Sequence, residues 1–397
     1  MNPNIQALAR IAQRKERTII GLMSGTSLDG LDVALCKISG NGRATRITLS
    51  KFDTVPYTDE IKTRIREVFA KSQVNFQQLC ELNAWIGRLH GNLVLRCLKK
   101  WKIKSSSVDI IASHGQTVFH SPKAITAGAS IDSTFQAGDG DHVAVTTGII
   151  TLSDFRQKHI AAGGEGAPLA VYGDYLLFSK KGEDRIMLNI GGIGNFTYLP
   201  GSLDASKVFV TDTGPGNTLI DQAVQKYRPG MHYDKDSNIA KSGKVNSKLL
   251  EALAADKFFN LPFPKTTGPE LFNLNYLDRA MEQTQTISLA LEDLLATLTR
   301  FSAETIASAI KRVVKSRKAQ IYLSGGGAHN PLMVEDIKML LPNLEFHEMG
   351  ELGISGDAKE AVLFAVLANE SLVGGKLDFG RRSKVPTVSM GKISFPK

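Results

Sequence analysis

The sequence has few cysteines and no long hydrophobic run. Its three cysteines, Cys36, Cys80 and Cys97, are odd in number and show no C-x-x-C spacing. That pattern excludes a disulfide framework and a zinc ribbon, and it favours a reducing compartment. No apolar stretch approaches the roughly 18 residues of a membrane span, and residues 1–18 contain no continuous apolar core of a secretory signal. We therefore expect a cytoplasmic protein with no membrane partner.

Several common site motifs are missing as well. None of the eight histidines lies in an H-E-x-x-H motif, so a zinc hydrolase has no support. The P-loop pattern G-x-x-x-x-G-K-[ST] is also absent. Glycine-rich segments occur at residues 25–30 and 191–195, but neither fits G-x-G-x-x-G or leads into a β–α unit. A dinucleotide-binding Rossmann fold is therefore a minor alternative.

The composition is that of a folded protein with a full core. Hydrophobic residues make up 42% and charged residues 22% of 397 residues, a length that favours two domains. The net charge of +9 favours an anionic partner, either nucleic acid, a membrane surface or a phosphorylated small molecule. Nucleic acid is the weakest of these, because the basic residues are scattered and cluster only at residues 99–104. Glycine is in modest surplus, at 36 residues.

A strand, a glycine-rich turn and a second strand are predicted at residues 17–38, and the same plan returns at residues 185–199. Each copy opens one half of the chain, which predicts a duplicated α/β fold with a cleft between two lobes. An ordinary doubly wound sheet is the alternative. Helical spacing of apolar residues is clearest at 76–101 and 287–315. We expect the first lobe to span residues 1–148 plus about 373–397, and the second 149–372.

The segment SGTSLDGLD at residues 24–32 has the residue types of an anion site. Its glycines let backbone N–H groups approach an anion, and Thr26 and Ser27 add hydroxyl donors. Asp29 would repel a phosphate unless a divalent cation bridged the two, so Mg²⁺ is the natural partner. The alternative is a tight hairpin with polar turn residues.

Two later segments carry related chemistry. In TDTGPGN, at residues 211–217, Asp212 leaves an apolar strand before a Gly-Pro-Gly turn and a helix. A carboxylate base beside an anion site is what hydroxyl-to-phosphate transfer requires, although Asp212 as a helix cap is the alternative. In SGGGAHN, at residues 324–330, three glycines suit a flat ligand such as a purine, or they form a plain strand-to-helix connection.

Three segments resemble a polyol or sugar pocket: SHGQT at 113–117, DFR at 154–156 and AGGEGAPL at 162–169. Arg156 either meets a ligand oxygen or anion, or pairs with Asp154. His114 alone is more often a structural histidine than a ligand.

These motifs occur in one order over nearly the whole chain: SGTSLDGLD, ASHGQT, DFR with AAGGEGAPL, LNIGGIGN, TDTGPGN, PKTTG and SGGGAHN. Together they resemble the anhydro-N-acetylmuramic acid kinases and the related levoglucosan kinases, of the hexokinase–actin–Hsp70 class. The resemblance implies a duplicated, two-lobed actin-like ATPase (ribonuclease H-like) fold with a central nucleotide cleft. It implies ATP and Mg²⁺ as cofactors and leaves the oligomeric state open, with a homodimer among the alternatives.

The implied reaction opens a 1,6-anhydro sugar with water at C1 while O6 takes the γ-phosphate of ATP, with Asp212 as the catalytic base. Asp29 and Glu360 would lie at the metal. The substrate side would be formed by His114, Gln116, Asp154 and Arg156. The nucleotide side would be formed by Gly25, Thr26, Ser27, Leu28, Asp29, Gly30, Leu31, Asp32, Gly191, Gly192, Asn195, Gly214, Gly216, Asn217, Gly325, Gly326, Gly327 and Asn330.

Three positions depart from the family pattern. His159 stands where DFRxxD has its second aspartate, Glu165 stands where GGQGAPL has glutamine, and Pro269 stands where TGRE has arginine. All lie outside the ATP motifs, so they leave the kinase interpretation in place and open the choice of sugar. A kinase for levoglucosan or another anhydro sugar is therefore the second hypothesis. A chaperone-like nucleotide-binding protein is the third.

Overall fold

The computed structural model describes residues 1–123, 126, 128–314, 318–375, 378–380 and 385–397. The strands in these ranges are β1 (Glu16–Ser24), β2 (Gly30–Ser39), β3 (Arg46–Pro56), β4 (Ile110–Ser121), β5 (Ser133–Ala137), β6 (Thr151–Ser153), β7 (Asp184–Ile190), β8 (Ile193–Leu199), β9 (Phe209–Pro215), β10 (Ala319–Ser324), β11 (Glu345–Glu348) and β12 (Lys392–Ser394). The α-helices are α1 (Pro3–Gln13), α2 (Asp59–Arg66), α3 (Phe76–Trp101), α4 (Gly140–Thr147), α5 (Phe155–Ala161), α6 (Ala170–Phe178), α7 (Thr218–Tyr227), α8 (Ser247–Ala254), α9 (Leu274–Thr284), α10 (Leu291–Val314), α11 (Pro331–Leu340) and α12 (Lys359–Val373).

The chain divides into two compact units, Met1–Leu177 with Gly353–Lys397, and Phe178–Leu352. The sequence-based boundaries, after 148 and near 373, differ from these. The first boundary lies later because β6 pairs with β4 and so belongs to the first sheet. The second lies earlier because α12 packs against β1.

The first unit is built on one mixed sheet in the order β12-β6-β4-β1-β2-β3, with β5 paired to β4. The strands β1, β2 and β3 form an antiparallel meander. The next strands run parallel, β4 beside β1 and β6 beside β4. One core lies between this sheet and α3, and its buried residues include Ile20, Leu22, Ile86 and Val94.

The second unit repeats the plan of the first. Its sheet has the order β11-β10-β7-β8-β9, again with an antiparallel meander followed by two parallel strands. Its core packs α10 and neighbouring helices against the sheet, with Ile186, Phe196, Phe301 and Ile306 fully buried. Two sheets with one strand order, each opening on a hairpin, are the duplicated α/β arrangement that the internal repeat predicts and the actin-like fold that the resemblance implies. The expected cleft between the two units stays a prediction.

Local chemistry accounts for the elements that carry site residues. Helix α3 begins after Asn75, whose side-chain oxygen accepts a hydrogen bond from Gln78 N at 3.1 Å, and it ends where Lys102 adopts φ +58°.

Cys36 and Cys97 are buried and Cys80 is exposed, all as free thiols. Within the described ranges, no helix is both long enough and apolar enough to cross a membrane.

Candidate active site

Turn 25–30 joins β1 to β2 in the first unit, as the sequence predicts. Leu28 adopts φ +59° and is buried, which anchors the tip of the turn in the core. Thr26, Ser27 and Asp29 are exposed around it. Leu31 is fully buried, so its side chain belongs to the core and does not face a nucleotide. A Cβ on Gly30 would lie 2.3 Å from the carbonyl oxygen of Val55, so a glycine at this position allows β2 to pack closely against β3.

Gln116 holds this turn from behind. Its side chain is completely buried. Its Nε2 donates to the carbonyl oxygens of Gly25 (2.9 Å) and Thr117 (3.1 Å), and its Oε1 accepts from Ser24 Oγ at 2.5 Å. With both ends of the amide bonded inside the protein, Gln116 orients the turn and does not contact a substrate, which corrects the sequence-based assignment.

Four acidic side chains of the first unit lie in or near this turn: Asp29, Asp32, Asp357 and Glu360. Burial raises the pKa of Asp32, and the charges of Asp357 and Asp29 raise it further, against a 2.6 Å hydrogen bond from Thr54. Its neighbour Glu360 also has a raised pKa. There burial is the main cause, Arg156 and Lys359 oppose it, and Asp32 and Asp174 add to it.

Asp357 was missed by the sequence reasoning, although it stands three residues before Glu360. These carboxylates do not form a closed metal cluster. In the part of the chain that the structure describes, no three His, Cys, Asp or Glu side chains are placed to hold a metal by themselves. Mg²⁺ commonly takes only one or two carboxylates and completes its shell with phosphate oxygens and water. The acidic group beside turn 25–30 fits that mode of binding.

Arg156 is held by two acceptors in the first unit. Its Nε donates to Nε2 of His114 at 2.9 Å, and its Nη1 donates to the carbonyl oxygen of Gly166 at 2.7 Å. His114 is buried, and its Nδ1 bonds to the carbonyl oxygen of Gly115 at 2.9 Å. Burial, followed by the Arg156 charge, lowers the pKa of His114 well below its usual value, so the ring is neutral and accepts through Nε2. His114 is thus a positioning residue for Arg156.

The alternative of an Arg156–Asp154 pair is wrong, because Asp154 pairs with Lys392. His159, at one of the three unusual positions, is fully buried. Its Nδ1 accepts from the backbone N–H of Gly166 at 3.0 Å. The carbonyl oxygen of the same Gly166 accepts a hydrogen bond from Arg156. His159 therefore helps to position Arg156 through the backbone of Gly166.

In the second unit, four polar residues form one row across the sheet. The strand registers pair Ser324 with Asn189, Asn189 with Asn195, and Asn195 with Asp212. Directly paired residues on neighbouring strands project from the same face. The LNIGGIGN, TDTGPGN and SGGGAHN motifs therefore meet at one end of this sheet. Asn189 was not among the predicted residues.

Asp212 lies half-buried near the end of β9. Its Oδ2 accepts a hydrogen bond from the backbone N–H of Thr267 at 2.8 Å. Burial raises the pKa of Asp212 to about 6; Thr267 and Lys265 oppose this rise, and Glu270 adds to it. A carboxylate with a pKa near the working pH is suited to general-base catalysis. The alternative role as a helix cap does not hold, because α7 begins after Asn217.

Lys265 is a buried cation near that carboxylate, and sequence reasoning missed it. Its Nζ donates to the carbonyl oxygens of Phe258 (2.9 Å) and Phe259 (3.2 Å). The same atom lies 4.1, 5.7 and 5.6 Å from the ring centres of Phe258, Phe259 and Phe263. Burial, with a contribution from Arg312, lowers its pKa to about 8. The sequence feature that could have indicated this cation is the lysine of the PKTTG motif, which follows three phenylalanines.

Turn 191–192 and the TGPGN turn are bonded to each other. The backbone N–H groups of Gly216 and Thr218 donate to the carbonyl of Gly192, and that of Asn217 donates to the carbonyl of Gly191, at 2.8–3.0 Å. Gly216 and Asn217 were assigned to the nucleotide side, but their backbone N–H groups are bonded within the protein and are not free to bind a phosphate. Gly216 is needed for the close packing, because a Cβ there would lie 2.3 Å from the oxygen of Gly191. The side chain of Asn217 makes no capping bond to α7.

The three glycines after β10 have different surroundings. A Cβ on Gly325 or Gly327 would lie within 2.6 Å of atoms of Ile190, so these two pack against β7. Gly326 is open, with Nδ2 of Asn217 3.8 Å from the position of its missing Cβ. Asn330 caps α11, and its Oδ1 accepts from Met333 N at 2.9 Å and from Ser237 Oγ at 2.6 Å, so this oxygen is already bonded within the protein. Gly214, with φ +140°, packs against Phe259.

The family model of anhydro-N-acetylmuramic acid kinase matches residues 17–376. The chain belongs to this family. It is 56% identical over its whole length to the full-length anhydro-N-acetylmuramic acid kinase of Pseudoalteromonas atlantica, and 51% identical to that of Pseudoalteromonas translucida, also over both whole chains. As a member of the family it is a nucleotide-binding kinase, a phosphotransferase with an alcohol group as acceptor.

Among solved structures, the chain is similar to the activator of the 2-hydroxyisocaproyl-CoA dehydratase from Clostridium difficile with bound ADPNP. The TM-score is 0.38 at 11% identity, over 90% of this chain and 96% of that chain. At this TM-score the likeness adds nothing to the duplicated strand order that defines the fold.

Proposed function

We propose that this protein uses ATP to phosphorylate 1,6-anhydro-N-acetylmuramic acid on O6 while water opens the anhydro bond. The product is N-acetylmuramic acid 6-phosphate, a step in the recycling of cell-wall sugars. The observation that carries the proposal is Asp212, a half-buried carboxylate with a raised pKa at the polar end of the second sheet. Membership of the family supports the choice of sugar.

Asp212 is the general base of this reaction. Its carboxylate takes a proton from water, and the water oxygen attacks C1 of the sugar. The C1–O6 bond breaks, its electron pair stays on O6, and O6 bonds to the γ-phosphorus of ATP as ADP leaves. The N–H of Thr267 fixes one carboxylate oxygen at 2.8 Å, so the other is left to face the water. Positioned proton abstraction of this kind contributes about 10²–10⁴-fold.

The nucleotide phosphates bind at turn 25–30, through its backbone N–H groups and the hydroxyls of Thr26 and Ser27. Asp29, Asp32 and Glu360 would hold Mg²⁺, which neutralises phosphate charge when bound. A cation there removes the mutual repulsion that helps to raise the pKa values of Asp32 and Glu360. Gly326 and the side chain of Asn217 form the open surface that we assign to adenosine.

Arg156 recognises the sugar. Its Nε and Nη1 are bonded within the protein, and Nη2 makes no hydrogen bond to any described residue. A guanidinium with one free edge suits a carboxylate. Anhydro-N-acetylmuramic acid carries a carboxylate on its lactyl group, whereas levoglucosan has none, so Arg156 favours the acidic sugar.

The test is ADP release by the purified protein with Mg²⁺ and four sugars: anhydro-N-acetylmuramic acid, levoglucosan, N-acetylmuramic acid and N-acetylglucosamine. We expect the highest kcat/KM for the first, and a product heavier by one phosphoryl group plus one water. A higher kcat/KM for levoglucosan would make levoglucosan the substrate and would leave the proposed phosphoryl transfer unchanged. ADP formation indifferent to every sugar would contradict the proposal.

A further inference from the structure

A chain of buried polar side chains runs from α3 to turn 25–30. His90 Nε2 lies 2.8 Å from the hydroxyl of Tyr57, and that hydroxyl lies 2.8 Å from Ser24 Oγ. Ser24 in turn bonds to Oε1 of Gln116, whose Nε2 bonds to the carbonyl oxygen of Gly25. All four side chains are at most 4% exposed. Side chains from four separate parts of the first unit thus lead to one peptide group.

The direction of every hydrogen bond in this chain follows from its last member. Gln116 donates from Nε2 to Gly25, so its Oε1 must accept the proton of Ser24. Ser24 has then used its only proton, and it accepts from the hydroxyl of Tyr57. Tyr57 in turn accepts from His90 Nε2. Burial lowers the pKa of His90 to about 3, so the ring is neutral and carries its proton on Nε2.

This chain fixes the orientation of the peptide group between Gly25 and Thr26. In a trans peptide the carbonyl and the N–H point in opposite directions. Because the carbonyl of Gly25 points inward to Gln116, the N–H of Thr26 points away from Gln116 toward the exposed side of the turn. Tyr57 also fixes the other end of turn 25–30, since its own backbone N–H donates to the carbonyl of Asp29 at 3.0 Å.

We propose that Tyr57 and His90 are positioning residues that aim the N–H of Thr26 at a phosphate of the nucleotide. The proposal rests on the assignment of turn 25–30 to the phosphates. Neither side chain touches the nucleotide. They act through Ser24 and Gln116, and their effect falls on nucleotide affinity more than on the chemical step.

The test compares Tyr57→Phe with Tyr276→Phe by calorimetric binding of ADP with Mg²⁺, without sugar. Tyr276 is the matched control, a tyrosine that is also less than 10% exposed and whose hydroxyl bonds to a backbone carbonyl, that of Leu253 in the second unit. We expect Tyr57→Phe to weaken ADP binding about tenfold, the effect of one buried hydrogen bond, and Tyr276→Phe to change it less than about twofold. Thermal unfolding measures the stability cost of each variant separately.

His90 provides the rescue arm. His90→Leu removes the donor to Tyr57 and should weaken ADP binding, whereas His90→Gln, which retains an N–H donor, should restore most of it. Equal ADP affinity in Tyr57→Phe, His90→Leu and the unmodified protein would overturn the positioning role and leave the proposed reaction standing. Intact ADP binding without sugar-dependent turnover would overturn the proposed reaction alone. An unmodified protein that binds no ADP would overturn both.

Discussion

Gly21 of β1 faces the carbonyl oxygen of Ala361 in the first turn of α12, and a Cβ on Gly21 would lie 1.8 Å from that oxygen. No side chain fits between the strand and the helix, so α12 lies directly on the sheet. The contact brings Glu360, the residue before Ala361, to the acidic group beside turn 25–30. A glycine outside every site motif thereby positions a metal-side carboxylate.

Gly21→Ala should therefore destabilise the fold and reduce phosphoryl transfer together. Because backbone must move to admit the methyl group, we expect a loss of about 1–3 kcal/mol in the free energy of unfolding. Urea denaturation measures the loss. Gly25→Ala is the control for stability, since its Cβ would meet only the Met23 side chain, at 3.7 Å. Equal stability of the two variants would contradict the close approach of α12.

The acid limb of the pH–rate profile should report Asp212. The base must be ionised, so kcat/KM should fall as the pH drops through its pKa of about 6. Glu270 raises that pKa, so Glu270→Gln should move the acid limb to lower pH by up to about 1 unit. Lys265 lowers it, so Lys265→Met should move the limb to higher pH. Glu251→Gln, on an exposed position of α8, should leave the profile unchanged, and shifts of equal sign in the first two variants would contradict this account.

Asp212→Asn should stabilise the protein above pH 6. The carboxyl has a pKa of about 6 in the folded protein, above its ordinary 3.8, so folding favours the protonated form. Stability is then highest below about pH 4 and is lost as the pH rises toward 6. An amide pays no such penalty, which predicts a gain of about 1–2 kcal/mol at pH 8 and none at pH 3.5. A gain of the same size at both pH values would contradict the raised pKa.

His159→Phe should raise KM for the sugar with little change in KM for ATP. The variant keeps an aromatic ring but removes the acceptor of the Gly166 N–H, and Gly166 holds Arg156. Loss of a buried acceptor predicts about a tenfold effect. His159→Asn keeps an acceptor oxygen and should recover most of the affinity. If His159→Phe and His159→Asn both keep the KM for the sugar of the unmodified protein, His159 does not position Arg156.

Both hairpins, the 76–101 helix and the position of Asp212 at the end of a strand could be predicted from the sequence, because each is encoded by local hydrophobic spacing and nearby glycines. The roles of Gln116 and Asn330 could not, because they depend on which neighbours the fold supplies. Gln116 meets Ser24 only because β4 runs beside β1. The glycines of the TGPGN turn were assigned to a ligand, whereas the structure uses Gly216 to pack two turns together.

The most direct test of the central claim is sugar-dependent ADP release by Asp212→Asn at pH 8, measured beside the unmodified protein with anhydro-N-acetylmuramic acid. We predict a fall of at least about 100-fold in kcat, with ADP affinity within about threefold of the unmodified protein because the carboxylate lies outside the phosphate turn. Retained turnover would contradict the assignment of Asp212 as the base that activates water.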